Sequence, residues 1–107
     1  HPSLLPEYPG LDTHKQALEN GDLMHGATIH YVDEGLDSGP IIAQGALKID
    51  PSQSEAKLAQ RIHKIEHALL PKVIAEIAKE LISLKGKEVK FESKSYFGKN
   101  NMEFFNV

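Results

Sequence analysis

The chain has 107 residues, 40% of them hydrophobic and 25% charged, which fits one compact domain with a core of its own. Its 12 Lys+Arg against 15 Asp+Glu leave a formal net charge of −3, which argues against a module that coats a polyanion. No Cys is present, which excludes disulfide frameworks, thiolate metal sites and Cys nucleophiles. No apolar run has the length of a membrane span and no segment resembles a signal or transit peptide. The expectation is a cytoplasmic protein with neither nucleic-acid nor membrane partners. The chain begins with His1 and not Met, which reads as a processed chain or a piece of a longer one.

Pro2, Pro6 and Pro9 each remove a backbone donor and restrict the residue before them, so His1 to Gly10 reads as an irregular loop. Thr13 and Gln16 have the spacing of a capping box, which predicts a short helix through Ala17 and Leu18. Asn20-Gly21 closes it, since both residues tolerate the left-handed conformation of a helix end. From Gly26 to Val32 the period changes to two, the mark of a strand. The turn-rich run Asp33 to Pro40 follows, and then a second strand over Ile41 to Ile49, with a bulge expected near Gly45. Two strands joined in this way suggest an antiparallel pair.

Ser52 and Glu55 form a second capping-box pattern and open a long helix. Leu58, Ile62, Ile65, Leu69, Val73, Ile77 and Leu81 recur at steps of three and four, which gives it one apolar face. Pro71 is expected to kink or split it, and Gly86 to end it. Val89 to Phe91 and Met102 to Phe105 read as a weak hairpin or a frayed tail, with residues 93–107 the candidate flexible segment. The fold class is α/β: mixed or antiparallel strands packed by a long amphipathic helix, in a single unit over residues 1–107.

Six His invite a metal reading, but only His63 and His67 share a helical i, i+4 spacing. The residues between them, Lys64, Ile65 and Glu66, do not make the zinc-protease pattern, and two exposed imidazoles account for the pair. Copper chelation by an N-terminal His needs export and a partner, and neither is indicated, so no metal is assigned. Glu66 falls inside the apolar arc between Leu58 and Leu70, where a carboxylate is costly unless paired. It either reaches the edge of that face or lines a pocket and accepts hydrogen bonds from a ligand's hydroxyls. The loop Asp33 to Pro40 is either a solvated acidic turn or a segment that wraps a ligand with Asp37 pointing inward. His30 stands on the preceding strand, within reach of the same region, and a His–carboxylate pair is a common proton-transfer device.

The ordered strings His1-Pro2-Ser3-Leu4-Leu5-Pro6, Tyr8-Pro9-Gly10-Leu11, Thr13-His14, Ala17-Leu18-Glu19-Asn20-Gly21, His25-Gly26, His30, Leu36-Asp37-Ser38-Gly39-Pro40-Ile41-Ile42 and Glu66-His67 together resemble the C-terminal half of the glycinamide ribonucleotide formyltransferases. The resemblance runs from residue 1 to about residue 75. It implies the C-terminal portion of the formyltransferase fold, and transfer of a formyl group from 10-formyltetrahydrofolate to glycinamide ribonucleotide in purine biosynthesis. His1 falls on the family's catalytic proton donor, Asp37 on the carboxylate paired with it, and His30 on a supporting His. Val32, Asp33, Glu34, Gly35, Leu36 and Asp37 match the loop whose backbone holds the folate. His63, Lys64, Ile65 and Glu66 match the segment beside the ribonucleotide's ribose, with Glu66 as hydroxyl acceptor. Leu5–Pro6 corresponds to a cis peptide.

The chemistry fits these residue types. When an amine attacks a formyl carbonyl, negative charge grows on oxygen, and a protonated His1 would stabilise it. Positioned acid–base groups contribute ~10²–10⁴-fold in such reactions. The family also has an Asn two residues before the catalytic His, and its phosphate loop and the remainder of its folate cleft lie in an N-terminal half that this chain lacks. Ser38 stands where Gly is frequent. The alternatives are a formyltetrahydrofolate deformylase, a methionyl-tRNA formyltransferase (against which the acidic balance and short tail speak), or a non-catalytic fragment that works only with an N-terminal partner.

Overall fold

Period-two alternation produces the centre of the molecule in the computed structural model, which describes residues 1–107. A short helix α1 (Thr13–Glu19) leads into strand β1 (Met24–His30), which pairs antiparallel with β2 (Ile41–Lys48). The long helix α2 (Glu55–Ala78) packs across both strands, and its Leu58, Ile62, Ile65, Leu69 and Val73 are fully buried. They meet Ala27, Ala43 and Leu47 of the sheet in one hydrophobic core. Burying each Leu or Ile of this stripe contributes about 1.5–3 kcal/mol.

Local signals are partly overruled by longer-range partners. At α1 the N-cap is Asp12, with φ 58° and no side-chain cap. The Thr13 hydroxyl instead donates to the Pro2 carbonyl, which ties the N-terminal loop to the helix. Gln16 turns back to the Leu11 carbonyl at 2.9 Å, so the expected capping box does not form. Asn20 and Gly21 do close α1, with Gly21 at φ 66°. At α2 the cap is Ser54, whose hydroxyl accepts from the Lys57 amide, whereas Ser52 is held by the Asp50 carboxylate. Pro71 lies inside α2 without splitting it, because Leu69 and Val73 on either side are locked into the core. The helix ends at Ala78 and not at Gly86.

Beyond it, β3 (Ile82–Lys85) and β4 (Glu88–Phe91) form a hairpin turned by Gly86 at φ 63°. The last strand, β5 (Met102–Phe104), does not pair with β4. It lies parallel to β2 and completes a sheet of order β1-β2-β5. Between β4 and β5, Phe97 is fully buried, and Ser95 and the Tyr96 amide bond the Glu76 carboxylate of α2.

Gly45 sits in regular register opposite Ala27, and the irregularity expected there occurs instead between Ile29 and His30. A Cβ at Gly45 would come within 2.4 Å of Ile65 Cγ2 and 3.0 Å of Leu69 Cδ1, so the glycine is what lets α2 lie on the sheet. Gly45→Ala is expected to cost about 1–3 kcal/mol through overpacking, seen as a lower urea midpoint. An unchanged midpoint would show that α2 does not rest on this position.

The opposite face of the sheet carries the N-terminal loop. Thr28 Oγ1 donates to the Ser3 carbonyl (2.7 Å) and accepts from the Leu5 amide (3.1 Å) and Gln44 Nε2 (3.0 Å). Gln44 Nε2 also donates to the Leu5 carbonyl at 2.9 Å. This saturated network fixes His1 to Leu5 over β1 and β2, with Leu5–Pro6 cis.

Candidate active site

His1 is pinned by its backbone to the middle of β1. Its amino group donates to the Thr28 carbonyl at 2.7 Å, and the Thr28 amide donates to the His1 carbonyl at 2.8 Å. The imidazole then lies between two acceptors: Nε2 is 2.8 Å from the Tyr8 carbonyl, and Nδ1 is 3.3 Å from Asp37 Oδ2. Asp37 reaches this place from the β1–β2 loop with φ 50°, a left-handed conformation that Asp tolerates better than most side chains. Its Oδ2 accepts the Gly10 amide at 2.8 Å, and its Oδ1 lies 3.8 Å from His30 Nε2. His30 in turn donates from Nδ1 to the Tyr31 carbonyl at 2.7 Å. One carboxylate thus faces two imidazoles and anchors the loop that carries Gly10.

This group forms part of the wall of a cleft of about 740 Å³, bounded by His1, Gly10, His14, Leu36, Asp37 and Glu55. A second hollow of about 300 Å³ lies beyond Leu36 and Asp37, against Leu5, Pro6 and Ile41. The loop 33–37 therefore forms a rim between two concave surfaces. Asp33 folds it: Oδ1 accepts from the Gly35 amide and the Ser38 hydroxyl, both at 2.8 Å. With that carboxylate engaged inside the loop, Asp37 is the one directed at His1. Val32 and Leu36 are 88% and 71% exposed, an apolar border on the rim.

The α2 segment divides. His63 and Lys64 are exposed, and Glu66 is half-buried. Ile65 is fully buried under Gly45, so its side chain belongs to the core and cannot contact a ligand. The rings of His63 and His67 meet at a tilt of 46° with centroids 4.2 Å apart, and no group of three or more His, Cys, Asp or Glu gathers to hold a metal.

Sequence reasoning missed three features of the site: Gly10, Tyr8 and a second histidine pair. His14, on the cleft wall, places Nδ1 3.0 Å from His25 Nε2. Burial, and then the charge of His14, push the His25 ring down to about 4. Burial also lowers His14, against the opposing pull of Glu66 and Glu55. The capping-box reading of Thr13 and Gln16 gave no sign of the pair, since only the tertiary fold brings α1 against β1.

A formyl transferase family model matches residues 1–74, the stretch that holds every element of this geometry. The chain belongs to the formyl transferase family. Among curated formyl transferase relatives, the phosphoribosylglycinamide formyltransferase of Bacillus subtilis is 52% identical over 77 residues, 72% of this chain and 40% of its own length. The trifunctional purine biosynthetic protein adenosine-3 of Drosophila melanogaster is 56% identical over 75 residues, 70% of this chain and 6% of its own length. The crystal structure of phosphoribosylglycinamide formyltransferase from Anaplasma phagocytophilum superposes with a TM-score of 0.88 at 36% identity, covering 99% of this chain and 50% of that one. The chain thus spans half or less of the length of these relatives. The β3–β4 hairpin and β5 lie beyond the formyl transferase match but within the structural superposition.

Proposed function

We propose that the chain is the C-terminal catalytic portion of an enzyme that transfers a formyl group from 10-formyltetrahydrofolate to glycinamide ribonucleotide, acting with an N-terminal half like the remainder of its longer relatives. The observation that carries this reading is the His1–Asp37 pair, 3.3 Å apart on the wall of the 740 Å³ cleft and inside the stretch matching the family. The backbone of residues 32–37 borders the folate. Glu66 accepts hydrogen bonds from the ribose hydroxyls, with exposed His63 and Lys64 beside it.

In the reaction the ribonucleotide amine forms a C–N bond to the formyl carbon while the carbonyl oxygen takes up charge. His1, with a proton on Nδ1, stabilises that oxygen. Asp37 keeps the imidazole oriented and, directly or through water, takes the proton that leaves the amine. The bond to the folate nitrogen then breaks, and that nitrogen takes up the proton that left the amine. His30 steadies the far oxygen of Asp37.

The test supplies the N-terminal half and follows the formyl carbon with and without ribonucleotide. Formylated ribonucleotide is the expected product. Formate released at the same rate without ribonucleotide would replace this reading with a deformylase that uses water as acceptor. Glu66→Ala is expected to weaken ribonucleotide binding about 10-fold, the loss of a hydrogen bond to a charged acceptor, with folate binding unchanged. Two separate titrations check this, and equal ribonucleotide affinity in the variant would remove Glu66 from the site.

A further inference from the structure

We infer that Tyr8, anchored by Asp22 and Asn20, is the positioning residue that decides which nitrogen of His1 exchanges a proton. The chemical consequence rests on the function proposed above, but the placement of the ring does not. Both neighbours of the ring only accept, but the Tyr8 carbonyl makes a hydrogen bond with Nε2 at 2.8 Å whereas Asp37 Oδ2 stands off Nδ1 at 3.3 Å, so a ring with one proton carries it on Nε2. Nδ1, the atom turned toward Asp37 and the cleft, is then the one free to gain and lose a proton.

The Tyr8 carbonyl faces the ring because Tyr8 adopts φ 50°, a conformation unfavourable for an aromatic residue without support. The buried Ser3 hydroxyl donates to the Glu7 carbonyl and, at 3.3 Å, to the Tyr8 carbonyl, and the Tyr8 side chain supplies the rest of that support. The phenol donates to Asp22 Oδ2 at 2.5 Å and accepts from Asn20 Nδ2 at 2.9 Å. Both partners sit at the end of α1, where the Asn20 amide bonds the Gln16 carbonyl and the Asp22 amide bonds the Ala17 carbonyl. The hydrogen bond to Asp22 also raises the phenol above its ordinary value, so it remains a donor across the neutral range. A continuous path therefore runs from the end of α1 through the Tyr8 ring and backbone to the imidazole of His1. No step of it touches the cleft lining beyond His1, so its role is to orient and not to react.

The experiment reads the ring nitrogens of His1 directly, by ¹⁵N spectroscopy of the histidine-labelled chain above pH 8, with His1→Ala assigning the signals. The native chain is expected to show Nε2 as a protonated, pyrrole-like nitrogen and Nδ1 as an unprotonated, pyridine-like one. In Tyr8→Phe and Asp22→Ala the two signals are expected to move toward each other as both tautomers become populated. Asp22→Asn keeps an acceptor oxygen for the phenol and is expected to retain the native pattern. If Tyr8→Phe does not fold, Asn20→Ala, which removes only the donor to the phenol, carries the test with the same expected direction. Native-like signals in the folded variants, or an Asp22→Asn spectrum like that of Asp22→Ala, would overturn the inference. In the complemented enzyme, Tyr8→Phe is expected to lower kcat about 10-fold with KM changed by less than about twofold, the signature of a misplaced reactive group. Absence of formyl transfer with the expected nitrogen signals would count against the proposed reaction alone.

Discussion

Replacing Asp37 by alanine is expected to lower formyl transfer by about 10²–10⁴-fold, the range by which a positioned acid–base group contributes. The expectation follows from three contacts made by one carboxylate. Oδ2 faces His1 Nδ1 at 3.3 Å and accepts the Gly10 amide at 2.8 Å, while Oδ1 lies 3.8 Å from His30 Nε2. Alanine would remove all three and also place an ill-suited residue at φ 50°. Asp37→Asn separates charge from shape, because Asn tolerates the same left-handed backbone and its carbonyl can still accept from Gly10. If charge is what matters, Asp37→Asn retains the thermal midpoint of the native chain yet loses turnover as Asp37→Ala does. Steady-state kinetics beside a melting curve checks this, and an Asp37→Asn enzyme with native kcat would exclude Asp37 from proton transfer.

The second large effect is on stability in acid. His25 is 2% exposed, packed against His14, and its ring is pushed down to about 4 by burial. The unfolded chain binds a proton at this residue near the ordinary value of 6.5, which the folded chain refuses until about 4. Stability is therefore fully present above about pH 7 and falls as pH drops from 6.5 toward 4, by roughly 3 kcal/mol at the lower limit. His14, lowered in the same direction, adds to the slope. Urea midpoints measured between pH 4 and 8 should show this decline, and His25→Gln should flatten it. Retention of the full slope in the variant would assign the acid sensitivity to other groups.

Much of the scaffold is legible in the sequence. The two central strands, the Asn20-Gly21 stop and the apolar stripe of α2 all follow from local periodicity and turn chemistry. The errors arise where a distant partner decides. Thr13 and Ser52 carry capping-box spacing, but the Pro2 carbonyl and the Asp50 carboxylate take their hydroxyls. Gly45 has two readings within a strand, bulge or close approach, and only the passage of α2 overhead selects the second. β5 pairs parallel with a strand more than fifty residues earlier in the chain, a register that no local pattern encodes.

The site follows the same division. Family resemblance points to His1, His30 and Asp37, and the fold brings them together. Treating residues 63–66 as one block misplaces Ile65, although the helical period that identifies the core already assigns it there. Tyr8, Asp22 and the His14–His25 pair carry no spacing signal, because their contacts join α1, β1 and the N-terminal loop only in three dimensions.

Turnover with the two halves apart and combined tests the central claim most directly. This chain and an N-terminal half from a relative, each assayed alone, should yield no formylated glycinamide ribonucleotide, and their mixture should yield it, with activity lost on His1→Ala. Turnover by this chain alone, or a folded complex of the two halves that forms no product, would contradict the assignment.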